Sequence, residues 1–189
     1  IHKFEKNAYF REKYNLSINK KIFLYLGVLS EDRGLSQILD VFKTLENTDK
    51  VAIFMGYGEL KDKIIKYSRK YKNIYYHEPV KPENISMYTD AADFGLLLIK
   101  NTCISYDYCM PNKLFQYCMS CLPVLGSNLK EIKEFVEKND IGIIFNPDSK
   151  SDFIDAISKI IINRNIQKLN ARKVAEKYCW ESQEYLLTK

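Results

Sequence analysis

Residues 111–127, Pro-Asn-Lys-Leu-Phe-Gln-Tyr-Cys-Met-Ser-Cys-Leu-Pro-Val-Leu-Gly-Ser, hold the clearest chemistry in the chain. Pro111 suits a first helical position, where its missing N–H costs nothing. Asn112, Lys113 and Leu114 then offer backbone N–H groups at a helix N-terminus, and Lys113 adds a full positive charge. Such a start attracts an anion, above all a phosphate. The helix is expected to end near Cys121, with a short buried strand running out at Gly126 and Ser127. An anion-ready helix feeding a parallel strand points to a nucleotide or sugar-phosphate site.

Other residue types offer less. Five cysteines, an odd and scattered set, fit reduced thiols in a cytosolic protein. Cys118 and Cys121 form a Cys-x-x-Cys pair, but a zinc site would want a second pair or neighbouring histidines, and the only histidines are His2 and His77. The pair also sits at the end of its helix, where a redox motif would sit at the start, so packing is its expected role. No metal site and no cofactor are expected. Gly56 and Gly58 read as a strand-end turn needing positive φ. Asp90 and Asp93 read as braces of a helix–strand turn, and Asp107 is an exposed acid near the phosphate site.

A length of 189 residues with 46% hydrophobic content supports one domain with a sizeable core. No run approaches the roughly 18 apolar residues of a membrane span, and no signal peptide opens the chain. The net charge of +5 is mild and concentrates on Lys61, Lys63, Lys66, Arg69, Lys70 and Lys72. That cluster reads as a solvated helix face or, functionally, as a contact for an anionic membrane surface. Nucleic acid is not expected as a partner, because no recognition motif accompanies the charge.

The elements that must carry these residues alternate regularly. Strands are expected at 21–28, 51–55, 74–80, 94–99, 123–126 and 142–145, with helices at about 34–46, 61–72, 82–91, 111–121, 129–138 and 151–162. A short helix is expected within 7–15, and a last one over 173–187. Strands separated by ten-residue helices make βαβ units, hence an α/β fold with a Rossmann-like parallel sheet flanked by helices. Ligands of such sheets bind at the carboxyl ends of the strands, where loops 27–34, 56–58, 77–82 and 100–113 converge.

In order along the chain stand Tyr25-Leu-Gly-Val with Arg33-Gly34, Phe54-Met-Gly-Tyr-Gly58, Asn73 to Val80, Tyr88-Thr-Asp-Ala-Ala-Asp93, Pro111-Asn-Lys-Leu-Phe-Gln, Leu122-Pro-Val-Leu-Gly, Gly142 and Tyr178-Cys-Trp-Glu. Over roughly residues 20–185 this series resembles the carboxyl-terminal, donor-binding half of GT-B fold retaining glycosyltransferases of the group 4 or group 1 type. The resemblance implies residues 1–20 as a lead-in from a missing amino-terminal GT-B domain, and 21–189 as the nucleotide-sugar-binding domain with its C-terminal helices. It implies retaining transfer from a UDP- or GDP-linked sugar to a polysaccharide or lipid-linked acceptor, by a metal-independent hexosyltransferase whose isolated half turns over nothing.

Carried over by residue, the resemblance implies that Arg33 grips the donor diphosphate with Asn112, Lys113 and Leu114. Arg33 and Lys113 would be the catalytic pair, stabilising charge on the leaving group. His77 and Val80 fall where the family holds the nucleobase, and Gly58 lies nearby. The family's paired glutamates align with Tyr108 and Gln116, neither a carboxylate. Gln116 still offers hydrogen bonds to ribose, whereas Tyr108 changes the contact to the donor sugar. Cys121 stands where the family has glycine, so helix–strand packing must differ there. Two other readings stay open: a non-catalytic nucleotide-binding or scaffold domain, favoured by the missing glutamates, and the donor half of a sugar-nucleotide epimerase. Richness in Lys, Ile, Asn and Tyr suggests an AT-rich bacterial genome, hence polysaccharide assembly in the cytoplasm and peripheral to the inner membrane.

Overall fold

The computed structural model describes residues 7–184. Six strands, β1 (Lys21–Val28), β2 (Lys50–Tyr57), β3 (Ile74–His77), β4 (Phe94–Leu97), β5 (Val124–Ser127) and β6 (Gly142–Phe145), form one parallel sheet in the order β3-β2-β1-β4-β5-β6. The helices are α1 (Tyr9–Lys13), α2 (Leu35–Phe42), α3 (Lys61–Lys70), α4 (Ile85–Thr89), α5 (Ile104–Asp107), α6 (Asn112–Met119), α7 (Lys130–Asn139), α8 (Lys150–Tyr178) and α9 (Trp180–Gln183). This is the Rossmann-like α/β architecture expected from the alternation.

Strand periodicity divides β1 between two cores. Ile22, Leu24 and Leu26 join Leu114, Tyr117 and Val136 on one face of the sheet. Phe23 and Tyr25 join Leu35, Phe42, Ile64 and Phe153 on the other. Strand order reverses direction between β1 and β4, which pair only through Phe23↔Phe94 and Leu24↔Gly95. Past that point the two strands splay apart.

The hydroxyl of Tyr117, from α6, fills the opening. It accepts from the Leu26 amide at 3.3 Å and shares its proton between the carbonyls of Leu24 (3.0 Å) and Leu96 (3.2 Å). A Cβ on Gly95 would lie 2.5 Å from the Tyr117 ring, so glycine is required beneath it. One buried side chain therefore fixes where α6 begins.

Three local findings depart from the sequence expectation. Helices expected separately at 151–162 and 173–187 are joined over Lys150–Tyr178, with Leu187 outside the described residues. The buried face of α8 is continuous from Phe153, Ile157 and Ile160 to Ala171 and Val174, but polar Arg164 and Gln167 occupy it in between and interrupt the apolar pattern that would signal one helix. Cys121 adopts a left-handed φ of 53°, which accounts for the glycine usual there. The segment 7–15 is not a mere lead-in: Phe10 is fully buried, and Arg11 reaches the carboxylate of Asp93 at 2.9 Å.

Candidate functional site

The carboxyl ends of β1 and β4 diverge around a cluster of charged and aromatic residues. The chain leaves β1 through a 3-10 turn, Glu31–Arg33, that stops at Gly34 with φ 64°. A Cβ on Gly34 would press on Leu98 at 3.0 Å, so glycine lets this loop lie against the chain leaving β4. The Arg33 guanidinium stacks over the Tyr106 ring at 5.3 Å, with its Nε 3.5 Å from Asp32. Asp32 in turn accepts hydrogen bonds from the Ser30 hydroxyl and, at 2.6 Å, the Tyr106 hydroxyl. These bonds hold its carboxyl below the ordinary carboxylate range, and Arg33 reinforces them. Sequence reading gave Asp32 and Tyr106 no role, because the helix α5 that carries Tyr106 has only four residues.

Lys113 enters the same space from α6. Its ammonium lies 4.1 Å from the centre of the Tyr25 ring, and Tyr25 is anchored by donating to the Val28 carbonyl at 2.7 Å. Burial, followed by repulsion from Arg33, pushes the Lys113 amine down to about 7. No carboxylate lies within 4 Å of it among the described residues. Lys113 and Arg33 thus repel one another, and the Asp32 carboxylate, 3.5 Å from Arg33, offsets that repulsion only in part.

The helix start corrects one detail. The Leu114 amide already donates to the Pro111 carbonyl at 3.0 Å, and the Leu114 side chain is fully buried. The amides left without an intrahelical partner are those of Asn112 and Lys113. A third cation, Lys130 at the start of α7, lies 4.9 Å over the ring of Tyr108, which is 61% exposed at the mouth. Asp107 is engaged by the Asn101 amide at 3.2 Å.

From this cluster a groove follows the sheet edge toward β2. A pocket of about 150 Å³ opens among Leu26, Gly27, Gly56, Pro79, Val80 and Ile85. On the other side of Ile85 lies a second pocket of about 250 Å³, between α4 and α6, with Gln116 and Phe115 on its wall. Val80 and Gln116 thus line neighbouring pockets on either side of Ile85.

His77 and Gly58 are placed elsewhere. His77 is buried behind the groove, its Nδ1 bonded to the Glu78 carbonyl (2.7 Å) and its Nε2 to the Tyr9 hydroxyl (3.0 Å). Burial pushes its pKa down, and the rings of Tyr9, Phe10 and Tyr88 surround it. Gly58 closes the turn after β2 with φ 144°, and a Cβ there would meet the Leu29 carbonyl at 2.5 Å. Asp93 braces the opposite edge of the sheet, accepting from the Ile22 amide, Arg11 and Arg164. Cys118 and Cys121 are buried reduced thiols.

The family model of the glycosyl transferases group 1 matches residues 7–178. The chain belongs to this family. No curated protein sequence matches it. Among solved structures, WaaG, a glycosyltransferase involved in lipopolysaccharide biosynthesis, superposes with a TM-score of 0.71 at 15% identity, over 90% of this chain and 46% of WaaG. HepE from Anabaena, in complex with UDP and glucose, gives a TM-score of 0.74 at 15% identity, over 96% of this chain and 51% of HepE. The C-terminal domain of the group 1 family protein LpcC from Francisella tularensis gives 0.67 at 14% identity, covering 91% of both chains. This group 1 glycosyl transferase chain therefore has the fold of a GT-B half-domain and spans about half the length of WaaG and HepE.

Proposed function

We propose that this domain binds a nucleoside diphosphate sugar and serves as the donor half of a retaining glycosyltransferase. The observation that carries the reading is the convergence of Arg33, Lys113 and the start of α6 at the strand-order reversal, beside a groove of nucleoside size. A diphosphate set between Arg33 and Lys113 would relieve their repulsion and accept the Asn112 and Lys113 amides. The base would lie over Gly27 and Gly56 against Val80, with ribose toward Gln116. HepE holds UDP on the same fold, which supports uridine as the base.

In this reading the difficult charge develops on the departing diphosphate. Arg33 and Lys113 stabilise it electrostatically from fixed positions, with the α6 N-terminus behind them, and no metal is needed for that charge. His77 acts as a positioning residue, holding the Glu78–Val80 loop from behind. The acceptor, polysaccharide or lipid-linked, would be bound by a second domain, as the half-length match to WaaG and HepE supports. Tyr108 beneath Lys130, in place of a carboxylate, favours one rival: a domain that binds nucleotide without catalysing transfer.

Calorimetric titration of the chain with UDP, GDP and ADP, beside Arg33→Ala and Lys113→Ala, tests the donor site. Binding of one nucleotide in preference, weakened at least about tenfold in each variant, is expected. Absence of binding, or binding indifferent to both variants, would remove the basis for a donor site.

A further inference from the structure

The middle of α8 passes beneath the amino edge of the sheet, on the side opposite the groove. Three residues tie it there: Arg164 to Asp93 at 2.6 Å, Gln167 to the Gly142 carbonyl at 3.0 Å, and Asn170 to the Asp140 carbonyl at 3.1 Å. With one face so committed, helical geometry turns the opposite face outward. That face carries Ile162, Ile166 and Leu169, which are 81%, 56% and 63% exposed. Their spacing of four and three residues makes one continuous stripe. Lys159 and Lys173 extend the same stripe at its two ends, both exposed and neither within 4 Å of a carboxylate among the described residues. From Ala156 to Ala175 the helix has five cations and no acidic residue; Asp155 and Glu176 stand just beyond the two ends of the stripe, Glu176 bound to Arg172 at 3.0 Å.

We infer that this outer face of α8 docks on an anionic lipid bilayer, the three aliphatic side chains entering the headgroup boundary and the terminal lysines meeting lipid phosphates. An apolar line between Lys159 and Lys173, on a helix whose cations outnumber its acids, is complementary to such a surface. A second copy fits worse. A twofold antiparallel contact centred on Ile166 would set Lys159 of one chain against Lys173 of the other, with Asp155 and Glu176 a turn away and Glu176 already bound to Arg172 at 3.0 Å. The basic helix α3, which composition alone singles out, is less available for this role. Its Lys61 is bound to Glu78 at 3.0 Å and its Lys63 to Glu31 at 3.3 Å. The stripe lies apart from the groove, so this inference is independent of the donor-site reading.

Flotation of the 189-residue chain with phosphatidylcholine vesicles, with and without 30% phosphatidylglycerol, tests it. Binding is expected only to the anionic vesicles. Lys159→Glu with Lys173→Glu should weaken it roughly thirtyfold or more, and Ile166→Ser with Leu169→Ser at least about tenfold. Lys66→Glu with Lys70→Glu, on α3, should leave it unchanged. All these positions are exposed, and unaltered circular dichroism and nucleotide titration in each variant would confirm an intact fold and groove. Equal binding to neutral vesicles, α8 variants that float like the parent, or binding lost through the α3 pair would each overturn the assignment. So would a dimer in sedimentation equilibrium that Leu169→Ser dissolves, since the stripe would then serve a second copy. The nucleotide titration reads the donor site separately, so failure of either conclusion is visible without the other.

Discussion

Lys113 should take up a proton when a diphosphate binds. In the chain without ligand, burial against Tyr25 and repulsion from Arg33 hold its amine at about 7, against an ordinary 10.5. A diphosphate between the two cations would return it toward the ordinary value. Uptake should then be about 0.1 proton at pH 6 and about 0.9 proton at pH 8. Above pH 7 the apparent dissociation constant of UDP should rise about tenfold per pH unit, and below it should level off. The same group affects stability with a defined sign. Between pH 7 and 10.5 the unfolded chain keeps a proton that the folded chain has lost, so the Lys113 contribution to stability rises with pH across that window. At 1.36 kcal/mol per pH unit the same shift sets an upper limit of about 5 kcal/mol on that contribution. Lys113→Met should therefore unfold at higher urea than the parent at pH 6 and lose that advantage by pH 10. Calorimetry in two buffers of different ionisation enthalpy measures the uptake. Zero uptake at pH 8, or equal uptake by Lys113→Met, would show that the amine is not held depressed by its surroundings, and the argument for a strained cation pair would fail.

Three further substitutions probe the framework around the site. Gly56→Ala places a methyl group against the Gly27 carbonyl at φ 154°, where β1 and β2 run side by side; a loss above about 3 kcal/mol is expected in urea unfolding. Cys121→Gly removes a left-handed non-glycine residue and should raise stability by up to about 1 kcal/mol, read as a higher urea midpoint at unchanged slope. Tyr117→Phe strips the hydroxyl that bridges the splayed strands and leaves the Leu26 amide unpaired. It should cost about 1–3 kcal/mol in urea unfolding and weaken UDP binding, because α6 is no longer held in place.

Much of the arrangement is legible in the sequence itself. The alternation of apolar runs with ten-residue helices is a local signal, and it led directly to the parallel sheet and to the edge where the loops converge. Pro111, Asn112 and Lys113 announce a helix start by residue type alone, and the paired Arg33-Gly34 marks the loop after β1. The order of motifs carried the family, which the match over residues 7–178 bears out.

What only the tertiary structure decided is non-local. His77 stands in sequence beside the groove residues, yet Tyr9, sixty-eight positions away, takes one of its ring nitrogens and holds it behind the sheet. The Leu114 amide looked available until the Pro111 carbonyl claimed it in a tightened first turn. Asp32 and Tyr106 are seventy-four residues apart and meet only because β1 and β4 became neighbours. The outward stripe of α8 exists because Arg164 and Gln167 face the sheet edge, where apolar spacing alone would have turned Ile162, Ile166 and Leu169 inward. Local preference sets which segments are strands and helices. Which side chains end beside one another depends on strand order and burial, and those are settled by the competition of the whole chain for one interior.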